Sequence, residues 1–400
     1  MIELEIQQPT APRNGVSVLN LGFRPFFIGA MVFAVVTVAV WTLVYTLAVP
    51  VPFDGVSPFQ WHAHEMIYGY SLAVIAGFLL TAVRNWTGRD TVNGVPLLAL
   101  FCLWAAARVS MLFGTALIPA AALFDVLFIA ALVTAVAVPV LRSRMWRQLA
   151  ILSKLVLLGA GSVVFYLGGL GYVGHGVHWG IYGGLYLVIG LILTMGRRVI
   201  PSFIERGVGY PVTLFNTRWM DLSSLVLFLA LFVVEVFITD KALVPWLAGA
   251  LFGVNAVRLA GWHTPGIWKK PLLWSLYLAY GFIVAGFLLL ALSGFAGVSR
   301  FVALHAFAYG GIGLITLSMM VRVSLGHTGR DIHAPPRAAS LAMIMLAAGT
   351  LFRVLLPVLV PGHYLAWVAV SQVLWIAAFA LLVKVLLPML LAPRVDGRFG

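Results

Sequence analysis

Three ionisable side chains fall within four positions of the stretch Trp61-His62-Ala63-His64-Glu65-Met66-Ile67-Tyr68, which opens into the apolar run 71–80. Charged residues make up only 9% of the chain, and polar groups at membrane depth cost free energy unless they are paired or hold an ion. The cluster is therefore the first candidate for chemistry, set against the plainer reading that both histidines are wet and interfacial. Converging imidazoles suit haem iron, copper or zinc, whereas hard cations favour carboxylates and carbonyls. His62 and Glu65, three apart, share one helix face, and His64 and Tyr68, four apart, share another. His62 and His64 stand about 200° apart around a helix, so they hold one ion only if the helix start unwinds, and otherwise serve two adjacent centres. Glu65 suits a hydrogen bond from a non-ligating ring nitrogen, which would fix the tautomer.

The four-residue spacing recurs at His178 with Tyr182 and at His305 with Tyr309. Other charges in apolar surroundings have a simpler explanation. Arg108 and Asp125 lie on one expected hairpin and can neutralise each other, as can Glu235 and Arg353, because charges inside a bundle usually pair. The functional alternative is that Arg108 or Arg353 grips a carboxylate of a bound haem in bidentate fashion. The methionines read as core filler, although a thioether can bind soft copper. Cys102 is the single cysteine, so it forms no intramolecular disulfide and builds no thiolate site alone.

The elements that must position these groups follow from composition. Hydrophobic residues are 62% of the 400 and the mean hydropathy is +1.05, far above a soluble domain. Apolar stretches long enough to span a bilayer fall at about 26–47, 61–83, 95–113, 118–140, 149–170, 178–199, 218–238, 242–261, 271–293, 301–325, 337–359 and 364–391. The expected fold is an all-α polytopic bundle of about twelve transmembrane helices. The formal charge of +13 sits mainly in alternate connections, such as Arg84 and Arg89, Arg142 to Lys154, Arg197 to Arg218, and Arg322 to Arg337. That pattern speaks for topology and against nucleic acid, and it puts both termini in the cytoplasm. We expect a cytoplasmic tail over 1–22, with no removed signal peptide, a single transmembrane domain over 23–392 and a cytoplasmic tail over 393–400. On this topology His62, His64, His175, His178 and His305 lie toward the outer face, His263, His327 and His333 toward the inner face, and His363 in the last outer connection.

Three polar motifs mark the inner face: Arg84-Asn85-Trp86-Thr87-Gly88-Arg89, Gly196-Arg197-Arg198-Val199-Ile200-Pro201 and Ser324-Leu325-Gly326-His327-Thr328-Gly329-Arg330. They read either as helix stops with basic residues at the interface or as binding elements for a propionate or an inner ligand.

Together with Trp61-His62-Ala63-His64-Glu65-Met66 and Gly77-Phe78-Leu79-Leu80-Thr81-Ala82-Val83, these motifs resemble the NnrS family, and the resemblance runs from Gly22-Phe23-Arg24-Pro25-Phe26-Phe27 to the last helices. It implies a haem- and copper-containing protein of the bacterial inner (cytoplasmic) membrane, tied to nitric-oxide response, nitrosative stress and denitrification. The family's histidines carry over to His62, His64, His305 and His327 as metal ligands. Two departures stand out: Leu276-Tyr277-Leu278-Ala279-Tyr280 and Val164-Phe165-Tyr166-Leu167 carry tyrosine where the family pattern suggests histidine. Tyr277 would belong with His327, and Tyr166 lies at outer depth, where a phenolate can ligate iron.

The reading is a b-type haem, with copper beside it, near the outer face. His62, His64, His178, His305 and Arg108 would hold the cofactor, and Glu65 and Tyr68 would tune reactivity toward nitric oxide or a related diatomic gas. No Cys-x-x-Cys-His motif is present, so that haem is not attached by this route. The surrounding partner is the lipid bilayer. The alternatives are a twelve-helix secondary transporter, whose substrate site would sit near the midplane, and a copper-handling membrane protein.

Overall fold

The computed structural model describes residues 17–50, 56–113 and 117–400. Among them the regular structure is helical, without β-strands, as expected for a chain whose backbone polar groups must be satisfied within each apolar segment. Twelve helices are long and apolar enough to cross a membrane: α1 (Phe23–Thr46), α2 (Pro58–Thr87), α3 (Gly94–Met111), α4 (Ile118–Arg142), α5 (Trp146–Gly169), α6 (Gly176–Gly207), α7 (Arg218–Phe237), α8 (Val244–Gly261), α9 (Pro271–Phe295), α10 (Arg300–His327), α11 (Arg337–Leu359) and α12 (Pro361–Leu391).

Helices α2 and α10 are the most enclosed, with 83% and 67% of their apolar windows buried, and these two carry the histidines of interest. Sequential neighbours pack around them, α3 through α9 forming one run and α11, α12 and α1 another. The start of α2 is fixed by local chemistry. Ser57 Oγ accepts from the Gln60 amide at 3.3 Å and Gln60 Oε1 accepts from the Ser57 amide at 2.8 Å, a capping box with Pro58 in the first turn. Trp61, His62 and His64 therefore stand at fixed angles one turn later. The helix ends at Gly88, whose φ of +65° is cheap only for glycine.

The first and last described residues meet at one end of the bundle. Arg24 donates to the carbonyls of Leu390 at 2.6 Å and Ala392 at 2.8 Å, and Asn20 donates to Gly400 at 3.3 Å. The segment expected as a C-terminal tail is laid back on the bundle, since the Val395 amide donates to Thr328 and Arg394 to the His327 carbonyl. Of the segment expected as an N-terminal tail, 1–16 lies outside the described residues. This end also carries Arg84, Arg198 and Arg322 and is called the basic end below; the opposite one is the histidine end.

Two local expectations are corrected. Gly196 to Pro201 does not stop a helix, because α6 continues through Pro201 to Gly207. Glu235 does not pair with Arg353. Arg300, at the start of α10, reaches Glu235 first, and Arg353 turns to His305.

Candidate functional site

The histidine end is distinguished by its backbone. Four segments of the described chain widen into π-helix: Thr42–Thr46, Glu65–Ser71, Ala306–Gly313 and Leu351–Leu355. They begin directly after Trp41, His64 and His305, or contain Arg353, so each adjoins the same region. A π-turn costs backbone hydrogen-bond geometry and concentrates at functional sites. Their coincidence on α1, α2, α10 and α11 makes this end the candidate site.

One group assembles His62, His305 and Arg353. The His62 ring lies flat on Trp41, with centroids 4.4 Å apart and planes 9° apart, and its buried Nδ1 makes no hydrogen bond among the described residues. His305 Nδ1 is 2.6 Å from the Phe301 carbonyl and its Nε2 is 3.0 Å from an Arg353 nitrogen. Carbonyl oxygen only accepts and guanidinium only donates, so the proton sits on Nδ1 and Nε2 presents a lone pair. A backbone carbonyl fixing the distal nitrogen in this way is the usual support of a metal-ligating imidazole. Arg353 lies within electrostatic range of both histidines, and the two histidines of each other.

A second group is a buried ion network on α2, α3, α4 and α5. Arg108 donates to Glu65 Oε1 at 2.5 Å and pairs with Asp125 through its other terminal nitrogen. His64 Nδ1 is 2.8 Å from Glu65, its Nε2 is 3.9 Å from Asp125, and Tyr166 donates to Asp125 at 2.5 Å. All five side chains are buried. The expected Arg108–Asp125 pair is present, and Glu65 joins it. Two carboxylates face one guanidinium, so the group carries one negative charge unless a proton or cation is added. Glu65 Oε2, Asp125 Oδ1 and His64 Nε2 make no hydrogen bond among the described residues. Tyr68 stacks near His64, centroids 4.9 Å apart, but spends its hydroxyl on the Gly180 carbonyl at 2.7 Å. That hydroxyl fits only because Gly161 and Gly184 have no side chains, a Cβ on either meeting it at 2.6 Å.

A third group joins Glu235, Arg300 and Tyr186, with Lys241 capping the end of α7 through the carbonyls of Val234 and Glu235. His178 stacks on Tyr182 beside it, centroids 4.5 Å apart, and not against His62, His64 or His305.

His327 is at the far end of α10 from His305, about 33 Å by helical rise, so the two cannot share an ion. It lines a cavity of about 670 Å³ at the basic end, with Arg198, Arg206, Arg322 and His333. Tyr277 does not join it: its hydroxyl donates to the Leu259 carbonyl at 3.1 Å and its ring neighbours His263.

The donor sets differ in what they fit. His305 Nε2 and His62 Nδ1 offer imidazole nitrogens of the kind that hold haem iron, and Arg353 beside His305 offers a guanidinium to an anionic edge. Among the described residues no three His, Cys, Asp or Glu side chains converge on one metal position. Sequence reasoning missed Trp41 and the Arg353–His305 contact. An arginine within an apolar run was the available clue, but its partner is 48 positions away.

Among curated proteins none matches this chain. The family model described as NnrS protein matches residues 17–394. With that match spanning nearly all of the bundle built here, the chain belongs to the NnrS family.

Proposed function

We propose that the protein is a bacterial inner-membrane haem protein that binds nitric oxide or a related diatomic ligand, acting in the nitric-oxide response that the family name implies. The basic end would face the cytoplasm. The observation that carries this reading is the convergence of His62, His305 and Arg353 where four helices widen together. His305 would ligate the iron of a non-covalent b-type haem, His62 would stand beside the position left for the diatomic ligand, and Arg353 would leave the His305 lone pair to pair with a propionate. Bound haem iron supplies an open coordination position for a diatomic gas. The Phe301 carbonyl keeps His305 in the tautomer that ligates through Nε2, and Trp41 holds the His62 plane. The Glu65–His64–Asp125 network, one proton short of neutrality, would store a proton near the site, with Arg108 holding both carboxylates in place. Copper belongs to what the family resemblance implies.

The test is the visible spectrum of the detergent-purified protein, oxidised and then reduced with dithionite, with metal analysis of the same sample. A Soret band that sharpens on reduction and shifts with nitric oxide is expected. His62→Ala or His305→Ala should remove or shift it. Full haem retention by both variants refutes this centre, and absence of both haem and copper favours the transporter alternative.

A further inference from the structure

The cavity at the basic end is not used by the reading above. Its wall bears three arginines, two histidines, Asn85 and Trp86, and no carboxylate. Arg198 makes no hydrogen bond or ion pair among the described residues, and Arg206 donates only to Ser202 of its own helix. Arg322 stacks on Phe203, its guanidinium carbon 3.7 Å from the ring centroid, and lies within repulsive range of Arg206. Stacking on an aromatic face leaves the N–H edge of a guanidinium free to take an anion.

Topology alone asks for basic residues in the connections. It does not ask for Arg322 to sit half-buried inside α10, more than a turn before the helix ends, on the wall of a cavity. Like charges gathered without a counter-charge create a field that attracts anions.

The floor has the opposite character. Phe78, Met195, Val199 and Met319 line this cavity and also an adjoining apolar pocket of about 110 Å³, which continues along Val74, Leu79 and Leu191 between α2, α6 and α10. An occupant must therefore present an anionic head to the arginines and an apolar body to the floor.

We propose that this cavity binds a phosphate-bearing amphiphile of net negative charge, its phosphate held by Arg198, Arg206 and Arg322 and its apolar part lying over Phe78, Met195 and Met319. Phosphate is the anion that offers several oxygens to several guanidinium forks at once. The apolar floor favours a lipid phosphate over a soluble one.

The experiment uses the full chain, delipidated in a non-ionic detergent, and native mass spectrometry with three probes: dilauroyl phosphatidylglycerol, dilauroyl phosphatidylcholine and inorganic phosphate. Phosphatidylglycerol should be retained at least about tenfold more tightly than either of the others. Arg198→Gln and Arg322→Gln should each weaken that retention by about tenfold, as the loss of a charge-assisted contact does. Arg198 is exposed, so R198Q keeps the test readable even where R322Q folds poorly. Equal retention of the two lipids, or retention indifferent to R198Q, overturns the proposal. Inorganic phosphate binding as tightly as phosphatidylglycerol overturns its amphiphilic half. The Soret band of the haem-loaded protein should not move in R198Q; its loss would assign the cavity to haem and overturn the proposal while leaving haem binding itself intact.

Discussion

Replacing Arg108 with methionine should destabilise the protein by about 3–5 kcal/mol, the usual cost of removing one partner from a buried ion pair. The figure follows from the geometry. Arg108 touches Glu65 at 2.5 Å and also Asp125, and both carboxylates are essentially inaccessible, at 1% and 0%. At an effective dielectric constant near 20, two charges about 4 Å apart attract by about 4 kcal/mol, so two contacts give about 8 kcal/mol gross. Desolvating the guanidinium costs several kcal/mol and offsets roughly half of that. In the variant, two buried carboxylates lose their counter-charge and keep only the His64 ring and the Tyr166 hydroxyl as hydrogen-bonding neighbours. The assay is reversible SDS unfolding in mixed micelles, comparing R108M with the triple variant Glu65→Gln, Arg108→Met, Asp125→Asn. The triple variant should recover most of the loss, because it removes the charges along with their partner. If R108M lost less than about 1 kcal/mol, or the triple variant were as unstable as R108M, the network would not be the buried, mutually dependent unit described here.

Two further outcomes test the same physics elsewhere. The Glu235 carboxylate is fully buried while its partner Arg300 is 35% exposed, so Arg300→Met should cost at least about 2 kcal/mol more than Glu235→Gln in the same unfolding assay, since the orphaned arginine can reach water and the orphaned carboxylate cannot. Gly184→Ala should cost about 1–3 kcal/mol by overpacking, because a Cβ there meets the Tyr68 hydroxyl at 2.6 Å and its ring carbon at 2.8 Å; Tyr68→Phe on that background should relieve part of the loss, and no relief would mean that Tyr68 is not the clashing group.

Much of the fold was legible because a bilayer leaves few choices. A run of about twenty apolar residues can satisfy its backbone only as a helix, so twelve runs became twelve helices, with ends shifted by a few residues except at α6, which runs on from 199 to Gly207. Pro201 misled because proline is read as a helix breaker, whereas α6 keeps going where neighbours hold it. The Arg108–Asp125 pair was legible since a hairpin makes sequence neighbours into spatial ones. Glu65 was not foreseen as its third member, because it arrives from another helix.

The sequence by itself determined that this is a membrane bundle, that histidines of the second and tenth helices are the candidates for its chemistry, and that most of its basic residues fall in alternate connections. Only the tertiary structure decided partners: Arg353 with His305, Arg300 with Glu235, Tyr277 away from His327, and an arginine-walled cavity with an apolar floor. The reason is that a helix fixes what three and four residues apart share a face, while contact between helices depends on rotation and depth. Those are set by packing over the whole bundle, which no local stretch records.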